Sequence, residues 1–259
     1  ADIKSTDLGK SEFSINSVDI DKPYFSLEDF DGNRPAPPIF VQDTGMYFNA
    51  GDIVVRIVDL KITDGTFASI KRGDVPEKGL FDGAYIKLNK INGNFTQLAF
   101  IKDTIKAKVD LTATERSGLE LKKLKADFKL TPQVMEFVNL DLRTASSRLG
   151  NYYAMHYKDF NEDMPYFIHR VILDARIKNS VISSNDIAFF APALSDWNKT
   201  ADINGKFAGT IEDFKVDDLF LRTGPNMYAS GNLTMKGLPA IKKTQIKQIS
   251  IKKLSKLWL

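Results

Sequence analysis

The chain repeats a five-residue phrase: Ile91-Asn92-Gly93-Asn94-Phe95 returns as Ile203-Asn204-Gly205-Lys206-Phe207, with a single position changed. A third version, Thr63-Asp64-Gly65-Thr66-Phe67, keeps the Gly and the Phe. Asn-Gly and Asp-Gly adopt positive φ at low cost, as a two-residue hairpin turn requires. The phrase therefore predicts antiparallel β-structure, with a tight hairpin turn centred on each dipeptide.

Runs that alternate apolar and polar residues surround these phrases. Because successive side chains of a strand point to opposite faces, each run predicts a strand with one apolar face and one largely charged face. The stretch Asp21–Pro38 contains four prolines and predicts a loop or linker. A short helix is expected within Asn185–Trp197, where Ser183, Ser184 and Asn185 offer capping oxygens. The alternating runs are Val58–Ile62, Ile105–Ala113, Leu124–Leu130, Val138–Leu142 and Val171–Ile177.

The C-terminal residues Lys242–Leu259 have two interpretations. Their isoleucines and lysines fit a basic amphipathic helix that lies on an anionic membrane. They also fit a further strand over Thr244–Ile251, which the β-branched isoleucines and the preceding turn at Gly237-Leu238-Pro239 favour.

Composition restricts the functional classes. The 259 residues are 43% hydrophobic and 27% charged, as in an ordinary globular chain. A net charge of +3 with dispersed lysines argues against nucleic acid as a partner. The absence of Cys excludes disulfides and thiolate chemistry, and it fits a reducing cytosol or a thiol-free envelope protein equally well.

The sequence holds no recognisable catalytic motif. His156 and His169 are 13 residues apart and lack the partners of a zinc site. Asp159-x-Asn161-x-Asp163 and Asp29-x-Asp31-x-Asn33 imitate the start of a calcium loop but lack its Gly and Glu. We therefore expect no enzyme activity, no metal and no cofactor.

Short phrases in the second half carry a family resemblance. They are Asp141-Leu142-Arg143-Thr144-x-Ser146-Ser147, Ser183-Ser184-Asn185-Asp186, Phe190-x-Pro192, Asn204-Gly205-x-Phe207-x-Gly209, Leu219-x-Leu221-x-Thr223-Gly224 and Ser230-Gly231-x-Leu233. With Gly237-Leu238-Pro239 they resemble the AsmA-like proteins of bacterial envelopes, in particular the TamB (translocation and assembly module) branch in its Bacteroidota-type form. The resemblance is strongest over about Val138–Ile251.

That resemblance implies an elongated, curled, taco-like antiparallel β-groove in the periplasm. It implies transport of phospholipid between the inner and outer membranes, with acyl chains in the groove. An outer-membrane barrel protein of the assembly-module type would be the partner, and the role could extend to outer-membrane protein assembly. A full-length member is anchored in the inner membrane. We expect this chain to be cut from a longer protein, so membrane contact would come through segments outside it.

The alternating runs support the same architecture from the residues alone. One-faced strands must bury their apolar side, and the predicted helices are too few to cover them. Two alternatives remain: a curled sheet whose trough holds lipid, or a structural or adhesive β-sandwich with a dry core. We expect an N-terminal strand and Pro-containing linker over 1–45 and the β-groove segment over 46–259. The candidate lining of the groove is Ile105, Ala107, Val109, Leu111, Leu124, Ala126, Phe128, Val171, Leu173, Ala175 and Ile177.

Overall fold

The structure, a computed structural model, describes residues 2–7, 9–29, 49, 51–71, 75–224, 227–238 and 245–255. These residues build a single fourteen-stranded sheet. Its strands are β1 (Asp2–Asp7), β2 (Glu12–Asp21), β3 (Tyr24–Asp29), β4 (Val54–Lys71), β5 (Tyr85–Ile101), β6 (Thr104–Glu115), β7 (Glu120–Leu130), β8 (Val134–Arg143), β9 (Arg148–His156), β10 (Ile172–Ser183), β11 (Thr200–Gly209), β12 (Asp213–Arg222), β13 (Tyr228–Lys236) and β14 (Gln245–Ser255).

The strands follow one another across the sheet almost in chain order. From β4 to β14 each strand pairs antiparallel with the next, so this part is a long meander. In the described part of the chain β1 and β14 do not pair with each other, and the sheet stays open. The predicted all-β, mainly antiparallel fold is confirmed.

The N-terminal strands depart from the meander. β2 and β3 lie end to end and both pair parallel with β4. They are separated at Lys22-Pro23, where Lys22 N–H donates to Thr63 O and Thr66 N–H donates to Pro23 O. The loop predicted from Asp21 was therefore wrong at Asp21, the last residue of β2, and over β3, which pairs with β4 along its whole length despite the neighbouring proline. The rest of that loop, 30–38, lies outside the described residues, and the domain boundary at 45/46 stays a prediction.

The predicted helix within 185–197 is confirmed in shorter form. Helix α3 covers Ser184–Ile187, and Ser183 caps it by accepting a hydrogen bond from Asn185 N–H at 3.2 Å. A 3₁₀ turn, Pro192–Leu194, follows and begins at the proline, which lacks the N–H that a helix interior needs. Two helices that were not predicted, α1 (Phe160–Asp163) and α2 (Phe167–Arg170), lie between β9 and β10.

The predicted hairpin turns at the three dipeptides are wrong. Asp64-Gly65 lies inside β4, Asn92-Gly93 inside β5 and Asn204-Gly205 inside β11. Asp64 does have positive φ (52°), but it occupies a β-bulge, where β4 has one residue more than β5 between paired positions. A bulge and a tight turn both need positive φ, so the same residues suit both.

The asparagines of the repeated phrase bond to the neighbouring bulge. Asn92 Oδ1 accepts a hydrogen bond from Asp64 N–H at 3.0 Å, and Asn204 Oδ1 accepts one from Asn179 N–H at 2.6 Å. Asp64 and Asn179 both have positive φ and both interrupt the register of their strand. Each of the two copies that contain Asn thus bonds across the sheet to a bulge in the preceding strand.

At the C-terminal end, the strand interpretation is confirmed. β14 spans Gln245–Ser255 and pairs with β13 along its length.

Candidate functional site

The register of the sheet aligns apolar residues into rows that cross the strands. In each step of a row the two residues are direct partners, so their side chains share one face of the sheet. We call this the apolar face. The first row runs through eleven strands without a polar residue: Phe13, Val55, Phe100, Ile105, Leu130, Met135, Met155, Leu173, Gly209, Phe214 and Met235.

A second row on the same face is rich in aromatic residues. Phe128 and Phe137 have ring centroids 5.2 Å apart, and Phe137 and Tyr153 have centroids 6.4 Å apart. Burial raises the pKa of the Tyr153 hydroxyl, as expected on an apolar face. The full row is Ala107, Phe128, Phe137, Tyr153, Ala175, Phe207, Val216 and Leu233.

The opposite face, which we call the charged face, carries polar rows in the same register. Lys129 and Glu136 are partners whose charged groups lie 3.6 Å apart. Tyr152 donates a hydrogen bond to Glu136 at 2.9 Å, and burial together with this bond raises the pKa of Tyr152 to about 12. One such row is Arg56, Ala99, Lys106, Lys129, Glu136, Ala154, Asp174, Ala208, Lys215 and Thr234.

Four charged residues on β7, β8 and β9 form an ion cluster around Asp141. Asp141 receives hydrogen bonds from Arg143 (3.0 Å) and Lys123 (2.9 Å), and Arg148 lies 3.9 Å away. The bond from Arg143 contributes most to lowering the pKa of Asp141, which falls to about 2.

Ten of the eleven predicted lining residues lie in β6, β7 and β10 as expected. Eight of them pack in two clusters with Phe95, Leu98, Leu140 and their neighbours, or with Ile203 and Phe207. Leu173 packs in a third cluster, and Ile105 belongs to the first row. Val171 differs, since it precedes β10 and is fully buried beside Phe167 of α2.

The apolar face contains both buried and half-buried side chains. Ala107, Val109 and Ala126 are almost fully buried, at 4–6% exposure. The larger Phe128, Phe137 and Leu111 remain half-buried. A second sheet packed on this face would cover such large side chains. The apolar clusters that the structure describes instead join strands at most four places apart. The face is therefore a trough along which large apolar side chains remain partly exposed.

Three connections meet over one part of this trough. Phe81, between β4 and β5, has its ring 5.7 Å from that of Phe167 and 5.0 Å from that of Phe190. Its N–H also donates to Phe189 O at 2.8 Å. We call Phe81, Phe167 and Phe190, with the segments 75–84, 164–170 and 187–191 that carry them, the clasp. In a flat sheet β5 and β10 would be about 24 Å apart, at about 4.8 Å per strand, so the contact reflects a curled sheet.

The clasp covers part of the first row. Met164 and Phe167 belong to a cluster with Leu130, Met135, Met155 and Leu173, which are consecutive members of that row. At the seam between its three segments lies a pocket of about 290 Å³, lined by Phe81, Pro165, Tyr166, Phe167, His169 and Phe190.

Sequence reasoning did not find the clasp. Its signal was a set of aromatic residues outside the alternating runs, namely Phe81, Phe167 and the pair Phe189-Phe190. Nothing in local periodicity links them, because the segments are up to 109 residues apart and meet only when the sheet curls.

The calcium-like stretch forms helix caps. Asp159 Oδ1 accepts a hydrogen bond from Glu162 N–H at 3.1 Å, and Asp163 Oδ2 accepts one from Lys158 N–H at 2.8 Å. His169 Nδ1 lies 2.8 Å from Glu212 Oε2, whereas His156 lies at the end of β9. Among the described residues, no group of three or more His, Asp or Glu side chains is arranged to hold a metal ion. The related stretch Asp29–Asn33 lies largely outside those residues.

Within the described ranges, none of the helices has the length and apolar character needed to cross a membrane.

Comparison with known proteins yielded no match: no protein-family model, curated protein or solved structure is significantly similar to this chain.

Proposed function

We propose that this chain is a segment of a bridge-like lipid carrier of the bacterial envelope, with phospholipid acyl chains in its apolar trough. The observation that carries the proposal is the pair of apolar rows that cross the sheet on one face, with large side chains left half-buried. Each methylene removed from water contributes about 0.8 kcal/mol, so a continuous apolar surface can hold acyl chains without a specific polar contact.

The apolar face and the open side of the trough suit the two ends of a phospholipid. Acyl chains would lie along the rows, while headgroups stay in water at the open side of the trough. The charged face keeps the outside of the sheet hydrated through pairs such as Lys129–Glu136. Holding the tails while leaving the headgroup in water removes the main barrier to moving a lipid across the periplasm, and this needs no catalytic residue.

The resemblance to the AsmA-like and TamB proteins is our basis for proposing that this activity belongs to a larger assembly. On that basis we propose a periplasmic location, an inner-membrane anchor in the full-length protein and an outer-membrane barrel protein as partner. On the same basis we propose that the assembly also contributes to outer-membrane protein assembly.

Site-specific photo-crosslinking tests the lipid proposal. Benzoylphenylalanine would replace Phe137, which is half-buried on the apolar face, and separately Val138, the next residue along β8. Val138 is a matched control because it is apolar and 38% exposed but faces the other way, opposite Asp127. After incubation with phospholipid vesicles and irradiation, mass spectrometry should find lipid attached at 137 and little at 138.

Equal labelling at the two positions would contradict the assignment of the trough. The rival function, a structural or adhesive module with a dry core, predicts lipid at neither position. It also predicts that protein purified from cells carries no phospholipid and binds no fluorescent acyl probe.

A further inference from the structure

The clasp is anchored to the sheet on both sides, and in the middle one backbone hydrogen bond of the described residues joins the two sides. On one side, Arg116 of the β6–β7 hairpin donates hydrogen bonds to the backbone carbonyls of Glu77 (3.0 Å), Leu80 (2.7 Å) and Tyr85 (3.3 Å). These three bonds hold the segment that carries Phe81 to the hairpin next to it.

The other side is tied to a different part of the sheet. Glu212, between β11 and β12, donates its N–H to Ile168 O at 3.2 Å, and its carboxylate lies 2.8 Å from His169 Nδ1. Met164 and Phe167 also pack on the first row. The two sides can therefore each stay in place if the seam between them parts.

Among the described residues, one backbone hydrogen bond crosses the seam, from Phe81 N–H to Phe189 O. The two ring contacts of Phe81 and the close approach of Gly83 to the Met164 carbonyl and to Phe167 add packing there. The pocket of about 290 Å³ lies at the same place. The pocket leaves part of the seam without direct packing, so parting the seam there gives up fewer dispersion contacts than parting a fully packed interface would.

We propose that this seam is a gate for lipid: it parts to admit an acyl chain to the stretch of trough between β5 and β10, and it closes over the chain afterwards. The gate rests on the proposed lipid function. When closed, the clasp and the curled strands β5 to β10 surround the trough, and Met164 and Phe167 occupy the first row. A tail held there therefore lies along the second row and cannot leave sideways.

A reversible cross-link tests the gate, since the chain has no native Cys. Phe81→Cys and Phe190→Cys would be combined and joined by a short bis-maleimide linker that a reductant cleaves. Cross-linking should slow uptake of a fluorescent phospholipid from vesicles at least tenfold, and cleavage should restore the rate. As a matched control, the same linker would join Lys206→Cys and Asp218→Cys, whose parent side chains form an exposed ion pair at 2.9 Å.

Uptake that is equally fast with the linker intact and cleaved would overturn the gate while leaving the lipid function standing. Equal slowing by the control linker would also overturn it. A lack of uptake by every form, including the unmodified chain, would remove the lipid function and the gate together. Phe81→Ala provides a second measurement without cysteines: its uptake should be several-fold faster than that of the parent chain, and an unchanged rate would count against the gate.

Discussion

Asn92 and Asp64 are 28 residues apart in the chain, and the Asn92 side chain accepts the backbone N–H of Asp64 across the β4–β5 pair at 3.0 Å. The two copies of the repeat are thus partners in the sheet. Leu60 pairs with Phe95, and Phe67 pairs with Leu88, so each copy lies antiparallel against the other. The two copies, 28 residues apart in the sequence, are therefore neighbours in the sheet.

Removing this amide should destabilise the bulge at Asp64. We expect Asn92→Ala to lower the free energy of unfolding by about 1 kcal/mol, because it removes two exposed hydrogen bonds, the one from Asp64 N–H and the one that Asn92 Nδ2 donates to Lys90 O at 2.9 Å. Urea denaturation would measure the change. Asn94→Ala is the matched control, since Asn94 is an exposed residue of the same strand, and it should leave the midpoint nearly unchanged. Equal effects of the two substitutions would show that the bond to Asp64 is unimportant.

Gly93 should be intolerant of any side chain. A Cβ atom there would lie under 3.0 Å from the Asp110 carbonyl and from Leu111, which belong to the adjacent backbone of β6. We expect Gly93→Ala to cost roughly 2–4 kcal/mol, because strands must separate to admit the methyl group. Gly51→Ala, whose Cβ would make ordinary contact with Ile53 at 3.5 Å, is the control. Thermal unfolding of the two variants measures the difference, and equal stabilities would contradict the close approach.

Charge on the apolar face should separate an open trough from a dry core. Leu111 is half-buried, so the carboxylate of Leu111→Asp can reach water at the open side, and the protein should fold with a modest loss of stability. Val109 is 4% exposed, so Val109→Asp buries an unpaired charge at a cost of several kcal/mol and should unfold the chain. Circular dichroism would follow folding. Lipid uptake by folded Leu111→Asp should fall at least tenfold.

The control for this pair is Thr112→Asp, on an exposed position next to Leu111. It should leave both folding and uptake near the values of the parent chain. If Leu111→Asp were as unfolded as Val109→Asp, the face would be a closed core.

The Asp141 cluster predicts a loss of stability in acid. The pKa of Asp141 in the folded protein is about 2, below its ordinary value of 3.8, because Arg143 and Lys123 stabilise the carboxylate. A lowered pKa contributes stability that is fully present above about pH 4 and disappears as the pH falls toward 2. The contribution is about 1 kcal/mol after allowance for solvent screening. Asp141→Asn should remove this part of the pH dependence, measured as the urea midpoint between pH 5 and pH 2, and an unchanged profile would exclude the cluster as its source.

Which parts of the fold were predictable follows from the range of the interactions involved. The apolar faces of β6, β7 and β10 could be predicted from the sequence, because a strand buried on one face has an apolar residue at every second position. The positive φ of Asp64 was predicted correctly, but the hairpin turn predicted there was wrong. The reason is that a bulge and a hairpin turn need the same local backbone conformation.

The candidate site shows the same limit. Val171 continues the alternation of β10 in the sequence, yet it lies beneath α2 because the chain turns into the strand only at Ile172. The clasp depends on contacts between Phe81 and Phe190, 109 positions apart, and no local pattern encodes that meeting. Local signals thus located the apolar faces of these strands, and only the three-dimensional arrangement revealed which segments lie over them.

The first apolar row crosses eleven strands at right angles to the direction of the chain in each of them. Its ten steps of about 4.8 Å amount to about 48 Å along the sheet. The length of the apolar surface is therefore set by the number of strands, whereas the number of residues in each strand sets only the width of that surface. Duplicating one hairpin would lengthen such a surface by about 10 Å without altering any existing pair, so this architecture can gain length by copying a unit that it already has.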